Sequence, residues 1–97
     1  METELVAEIG IDQSHRLYVK PTAKKFPHIY REAMEVHWDA ETGVLHSPVP
    51  REWSYLDWYR QIIKAAAEQG CQLKVTPDTR WTNVPNDLRL EIEESSN

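Results

Sequence analysis

Residues 48–71 of this chain, PVPREWSYLDWYRQIIKAAAEQGC, carry the start and stop signals of one amphipathic helix. Ser54 is the expected N-cap, and Asp57 stands three residues further on, where an acidic side chain completes a capping box. Gly70 is expected to end the helix because glycine adopts the left-handed conformation without strain. These signals predict a helix over residues 55–69.

The apolar side chains of this helix indicate what it packs against. Trp53 and Trp58 occupy the two positions of a hydrophobic staple, which fixes the direction in which the chain enters the helix. On a helical wheel the apolar residues fill about one half, and the polar residues share a narrow arc. A face that wide is expected to lie across a β-sheet.

Alternating apolar and polar residues predict strands on both sides of the helix. Residues 5–11 and 17–20 are expected to form a hairpin, with the turn-like residues 12–15 between them. Beyond the helix, residues 71–76 and 88–93 show the same alternation. We therefore predict a strand directly after the helix and a last strand near the end of the sequence.

Residues 28–38 fit both a helical stripe and a strand alternation. A valine and a tryptophan at the end of this segment, followed by a turn signal that ends at Gly43, favour a strand over residues 29–38. A four-residue turn with Gly43 in the left-handed conformation would place His37 opposite His46 on the next strand.

Together these elements predict an α+β fold with an antiparallel or mixed sheet of about six strands, one helix packed on one face, and the order ββββαββ. Residues 1–97 are expected to form a single α+β domain. The sheet face without a helix, or a sheet edge, is expected to be covered by a second copy of the chain. The predicted core contains the inward apolar residues Ile9, Leu17, Val19, Val36, Leu56, Tyr59, Ile62, Ile63, Ala66, Leu73, Val75 and Leu90.

The composition is that of an ordinary globular protein and excludes several other classes of protein. The 97 residues are 40% hydrophobic and 28% charged, a balance that disordered chains do not have. The first residues lack the pattern of a signal peptide, and no segment approaches the length of a membrane span. Cys71 is the single cysteine, which fits a reducing compartment because no intramolecular disulfide can form. We expect a cytoplasmic protein without membrane contact.

Familiar catalytic and cofactor motifs are absent from the sequence. Gly43 and Gly70 are assigned to turns and Gly10 to a strand, so that none of the three glycines remains for a phosphate-binding loop. No Cys-x-x-Cys, His-Glu-x-x-His or Gly-x-Ser-x-Gly pattern occurs. The sequence therefore predicts no cofactor and designates no catalytic residue.

One group of residues nevertheless suits a metal ion. The turn register makes His37 and His46 cross-strand neighbours, and Glu35 lies two residues away on the same face. Two imidazoles and a carboxylate could bind Zn²⁺ and leave a coordination position open. The same residues would equally suit the solvated face of a hairpin. A small enzyme with a pocket here is thus an alternative function.

The surplus of aromatic residues carries the main functional hypothesis. Four Trp and four Tyr are many for a core of this size, and a loop Trp beside an Arg suits a protein interface or a pocket rim. We predict a non-enzymatic binding module, acting as a homodimer on a protein or small-molecule partner. The expected binding residues are Trp53, Trp81, Arg51, Arg80, Trp38 and Tyr30.

The charge distribution leaves a second alternative open. The net charge of −5 argues against broad affinity for nucleic acid, because a polyanion is repelled. The segment 16–31, however, contains bases and aromatic residues and no acid, a combination that could bind an anion or a nucleic acid. Its basic residues are Arg16, Lys20, Lys24, Lys25 and Arg31.

The decapeptide PREWSYLDWY at residues 50–59, with Ile-Tyr-Arg at 29–31 and RWTNVP at 80–85, resembles small bacterial proteins encoded on integron gene cassettes. The resemblance covers most of residues 16–92. It implies an α+β domain from a largely uncharacterised group, some of whose members are oligomeric. It also implies a bacterial cytoplasmic setting and an accessory role carried by a mobile genetic element. It supplies no catalytic residues.

Overall fold

A computed structural model describes residues 1–96 of the chain. The described part contains a six-stranded sheet and two α-helices, so the predicted α+β class with a mixed sheet is confirmed. In chain order the elements are β1 (Glu2–Ile11), β2 (Leu17–Pro21), a 3-10 turn (Ile29–Arg31), β3 (His37–Asp39), β4 (Val44–His46), α1 (Tyr55–Glu68), β5 (Cys71–Lys74), β6 (Arg80–Thr82) and α2 (Asn86–Ser95).

The sheet is organised around the long strand β1. Its strand order is β3-β4-β2-β1-β5, with β6 also paired to β1. β1 runs antiparallel to β2 but parallel to β5 along its first half and to β6 along its second half. Thr79 bridges the gap between β5 and β6, because its buried hydroxyl donates to the carbonyl of Val6 (2.7 Å) and accepts from the N–H of Thr76 (3.0 Å).

The predicted hairpins are both present. Ile9 of β1 lies opposite Val19 of β2. His37 of β3 lies opposite His46 of β4, which is the register predicted for that hairpin. Gly43 has φ +70°, the left-handed value that the turn requires. The β3–β4 turn was thus predictable from its glycine and its length.

Helix α1 begins and ends at the predicted signals. Ser54 and Asp57 form the reciprocal hydrogen bonds of a capping box. Trp53 and Trp58 make the expected staple, with ring centroids 4.8 Å apart. Gly70 follows the helix with φ +85°. Within residues 1–96, no helix combines the length and apolar character that crossing a bilayer would require.

The core lies between α1 and the sheet. Among the predicted core residues, three are partly buried and one is exposed, whereas the rest are buried. The buried ones are Ile9, Leu17, Val19, Val36, Tyr59, Ile62, Ala66 and Leu73, and the partly buried ones are Leu56, Ile63 and Val75.

The prediction of a strand over residues 29–38 is wrong except at its end, where β3 begins at His37. The segment from Phe26 to Val36 makes successive short turns instead. Its N–H groups bond carbonyls three residues back, as from Arg31 to His28 (3.0 Å), so they cannot pair with a neighbouring strand.

The prediction of a strand over residues 88–93 is also wrong, because this segment belongs to α2. Leu88 and Ile92, four residues apart, are buried on one side of the helix. Leu90 points away and is 59% exposed, so its assignment to the core is wrong as well. An ion pair between Arg89 and Glu93 (3.7 Å) has the same helical spacing.

Candidate functional site

The two faces of the sheet differ in character. Ile9, Val19 and Leu45 point to the helix side and are fully buried. Because side chains alternate along a strand, Glu8 and Tyr18 point to the opposite side, which we call the outer face. The outer face also carries Lys20, His46, Arg80 and Thr82. It is polar, which does not suit the burial by a second copy that the sequence led us to expect.

A hydrogen-bonded carboxylate lies at the centre of the outer face. Glu8 accepts hydrogen bonds from the Tyr18 hydroxyl (2.6 Å) and the Thr82 hydroxyl (2.7 Å) through the same oxygen. Its other oxygen accepts from Arg80 at 3.3 Å. The side chain of Glu8 is 18% exposed, so these donors take the place of most of its water. Three strands, β1, β2 and β6, are thereby joined through one side chain.

This network shifts the pKa values of both acidic partners. Burial alone would raise the pKa of Glu8, but the bonds from Tyr18 and Thr82 and the charges of Arg80 and Lys20 outweigh burial and lower it. The pKa of Tyr18 is raised by burial and by the carboxylate of Glu8 that its hydroxyl faces. Glu8 is therefore held as an anion and Tyr18 as a neutral donor.

Gly10 makes room for the Tyr18 ring. A Cβ atom built on Gly10 would lie 2.5 Å from Cζ of Tyr18, well inside van der Waals contact. The ring of Tyr18 therefore crosses β1 directly over the glycine and reaches Glu8 two residues away. A glycine inside a strand often marks this kind of close approach.

Replacing Gly10 with alanine is expected to lower the free energy of unfolding by about 1–3 kcal/mol, because the new methyl group would displace the Tyr18 ring from Glu8. Urea denaturation of Gly10→Ala and wild type measures the loss. In a Tyr18→Ala background the same substitution should cost much less. An equal cost in both backgrounds would contradict the assigned collision.

A cavity of about 380 Å³ opens beside this network. We call it the outer cavity. Glu8 and Tyr18 form one wall, and Lys20, Val44 and His46 line other parts. Asp12, Arg16, Asp39 and Thr42 complete the lining.

The histidine pair lies at the border of the outer face. The rings of His37 and His46 are 5.3 Å apart between centroids, and Nδ1 of His46 faces the carbonyl of Ser47 at 3.1 Å. Glu35, the third predicted ligand, lines a different groove. Across residues 1–96, no three His, Cys, Asp or Glu side chains are grouped closely enough to hold a metal ion.

A second concavity, which we call the Trp53 groove, lies at the start of α1. It measures about 360 Å³ and is lined by Glu35, Pro48, Val49, Arg51, Glu52, Trp53 and Trp58. Trp53 is 45% exposed, whereas Trp58 beneath it is 7% exposed. The buried Nε1 of Trp58 finds no hydrogen-bond acceptor in the described part of the chain. Arg51 and Trp53, both predicted binding residues, are thus brought together here.

The other predicted tryptophans lie towards the core. Trp38 packs edge-on against Phe26, with centroids 6.0 Å apart. Trp81 is partly buried, and the guanidinium of Arg89 on α2 lies 5.1 Å from its ring centroid. Each ring therefore covers part of the core, at positions apart from the Trp53 groove.

The remaining predicted binding residues are also dispersed. Tyr30 is 52% exposed on the 3-10 turn, with Arg31 lying 6.0 Å from its ring centroid. Arg80 belongs to the Glu8 network. The structure does not unite the basic segment either. Lys24 pairs with Glu2 at 2.8 Å and does not line the outer cavity, whereas Arg16 and Lys20 do.

The network of Glu8, Gly10, Tyr18 and Thr82 was not predicted from the sequence. The glycine within β1 was a usable signal, because it alternates with Glu8 on one face and is expected to pair with the second strand of the hairpin. Thr82 gave no signal, because the parallel pairing of β6 with β1 joins residues more than 70 positions apart in the sequence.

Most of the chain matches a known protein family. The family described as Integron Cassette Protein Hfx_Cass5 matches residues 4–79 of this chain. The chain belongs to the Hfx_Cass5 family. The predicted resemblance to integron cassette proteins is thereby confirmed. The Hfx_Cass5 match includes Glu8, Tyr18 and Trp53 but ends before β6 and α2.

A solved structure of an Hfx_Cass5 protein is similar over nearly the whole chain. It is described as coming from the mobile metagenome of the North West Arm Sewage Outfall. The two sequences are 55% identical over 99% of this chain and 97% of that one, and the two structures have a TM-score of 0.51. Among the curated proteins, none matches this chain.

Proposed function

We propose that this chain is a non-enzymatic interaction module that binds a protein partner through the Trp53 groove. The observation that carries the proposal is the exposure of Trp53, 45%, at the mouth of a groove of about 360 Å³. A large aromatic side chain in such a position is typical of the residues that contribute most to protein interfaces. The partner would cover the indole and exclude water from the groove.

The groove is built for recognition rather than for catalysis. The capping box at Ser54 and the tilted ring contact of Trp53 with Trp58 hold the exposed ring in place before any partner arrives. A rigid anchor loses little conformational entropy on binding. Arg51 and Glu52 supply charges of both signs at the rim, which suits a polar border around an apolar centre.

In this proposal the chain works as a homo-oligomer, with an accessory role in the cytoplasm. The polar outer face is a poor surface for self-association, since its charged groups would have to be desolvated. The Trp53 groove is the better contact for a second copy, because it combines exposed Trp53 and Val49 with a concave shape. A foreign partner would then bind by displacing the second copy from the groove.

Size-exclusion chromatography with light scattering tests the proposal. Wild type is expected to form a dimer at high concentration, and Trp53→Ala is expected to be a monomer. Leu90→Ala removes an even more exposed apolar side chain (59%) from α2 and should leave the dimer intact. A dimer that survives Trp53→Ala would contradict the use of the groove for self-association.

If the wild-type protein is strictly monomeric, the homo-oligomer is excluded, and the proposed interaction module would then act only on a foreign partner. Selection from a random peptide display library on wild type, with Trp53→Ala as the counter-target, measures this second case. Peptides that bind wild type and fail to bind Trp53→Ala would support the groove. If the library yields the same peptides on both proteins, the proposal fails.

A further inference from the structure

Two of the three carboxylates that line the outer cavity already have hydrogen-bond donors on both oxygens. Glu8 accepts from Tyr18, Thr82 and Arg80. Asp12 accepts from the N–H groups of residues 14 and 16 at 2.9 Å through one oxygen, and from a side chain through the other. These acids therefore need no ligand, because their lone pairs are used within the protein.

The basic side chains of the cavity make fewer of their possible hydrogen bonds than Glu8 and Asp12 do. Arg16 contacts Asp12 through Nε at 2.9 Å, and its two terminal amino groups make no further hydrogen bond among residues 1–96. Lys20 lies close enough to Glu8 to lower the pKa of that carboxyl, yet forms no ion pair in the described part of the chain. The cavity therefore retains unused cationic donors.

The formal charges of the cavity do not oppose an anion. The lining holds three carboxylates and two bases, and a third base, Arg80, lies outside the lining and pairs with Glu8. Counted with Arg80 the formal charges cancel, so an entering anion would meet no net negative charge, while it would gain charge-assisted hydrogen bonds. The carboxylates are Glu8, Asp12 and Asp39, and the bases are Arg16, Lys20 and Arg80.

The cavity also offers surface for the organic part of a ligand. Val44 and the ring of Tyr18 line it, and its volume of about 380 Å³ is in the range of small-molecule sites. The Tyr18 ring is fixed from below by Gly10 and at its hydroxyl by Glu8. The cavity therefore has a preformed apolar wall beside its cationic donors.

We infer that the outer cavity binds a small organic carboxylate, whose anionic group contacts Lys20 and Arg16 and whose apolar body rests against Tyr18 and Val44. This site is separate from the Trp53 groove and shares no lining residue with it. The basic segment predicted from the sequence to bind anions contributes two of its five basic residues, Arg16 and Lys20.

Titration of the ¹⁵N-labelled protein with benzoate and with benzylamine tests this inference, since the two probes share a ring and carry opposite charges. Benzoate is expected to shift the amide signals of Tyr18, Lys20 and Val44, and benzylamine is expected to bind more weakly. Lys20→Gln should reduce the affinity for benzoate about tenfold, because one charge-assisted hydrogen bond is lost. Lys25→Gln, an exposed control from the same segment, should not change it.

Several results would overturn the inference. These are benzylamine binding at least as tightly as benzoate, the absence of localised benzoate shifts, and shifts produced by inorganic phosphate but not by benzoate. Lys20→Arg keeps the charge and should retain binding, which separates loss of the donor from loss of the fold. Trp53→Ala should bind benzoate like wild type, so failure of the interaction module and failure of this site can be told apart.

Discussion

Replacing Ile92 with alanine is expected to lower the free energy of unfolding by about 2–5 kcal/mol, because it removes a side chain that is fully buried on the core side of α2. The cavity left behind would lie where α2 closes the core beside α1. Leu90, two residues earlier, is 59% exposed, so Leu90→Ala is expected to change stability by less than about 0.5 kcal/mol.

Urea denaturation of the two variants beside wild type measures this difference. The pair distinguishes a helix from a strand at the end of the chain. In a strand, residues 90 and 92 would point to the same side and both substitutions would cost about the same. Similar losses for the two variants would therefore contradict α2.

The same pair of residues explains why the last element was mispredicted. Apolar residues at 88, 90 and 92 satisfy a strand alternation, while 88 and 92 alone satisfy a helix. The sequence pattern does not decide between them. The decision comes from the packing of α2 against α1, where the Tyr59 hydroxyl bonds Ser96 at 2.5 Å and covers that end of the core.

Elements with strong local signals were predicted closely. The start of α1 depends on Ser54, Asp57 and two tryptophans within six residues, and each makes the predicted contact. The β3–β4 register depends on the left-handed residue Gly43 and a four-residue turn. Such features are set by neighbours in the sequence, so little tertiary information is needed to predict them.

The Trp53 groove and the outer cavity also differ in how far the sequence alone could predict them. Arg51 and Trp53 share the Trp53 groove because they are two residues apart just before a capped helix, and the sequence could suggest this. Besides the predicted β1–β2 hairpin, the outer cavity depends on the pairing of β4 with β2 and of β6 with β1, which the sequence does not specify. Long-range strand pairing therefore limits what can be predicted of a site built on a sheet face.

Phe26→Ala is expected to lower the free energy of unfolding by about 3–5 kcal/mol, because this ring is 1% exposed and packs edge-on against Trp38. It anchors the turns between β2 and β3, which have no ladder of their own hydrogen bonds to hold them on the core. Met34, from the same segment, is 86% exposed, and Met34→Ala should change stability by less than about 0.5 kcal/mol. Thermal and urea unfolding of both variants measures the contrast. A strand over residues 29–38 would bury Met34 beside Val36, so a large loss for Met34→Ala would restore that prediction, whereas a loss confined to Phe26→Ala supports the turns.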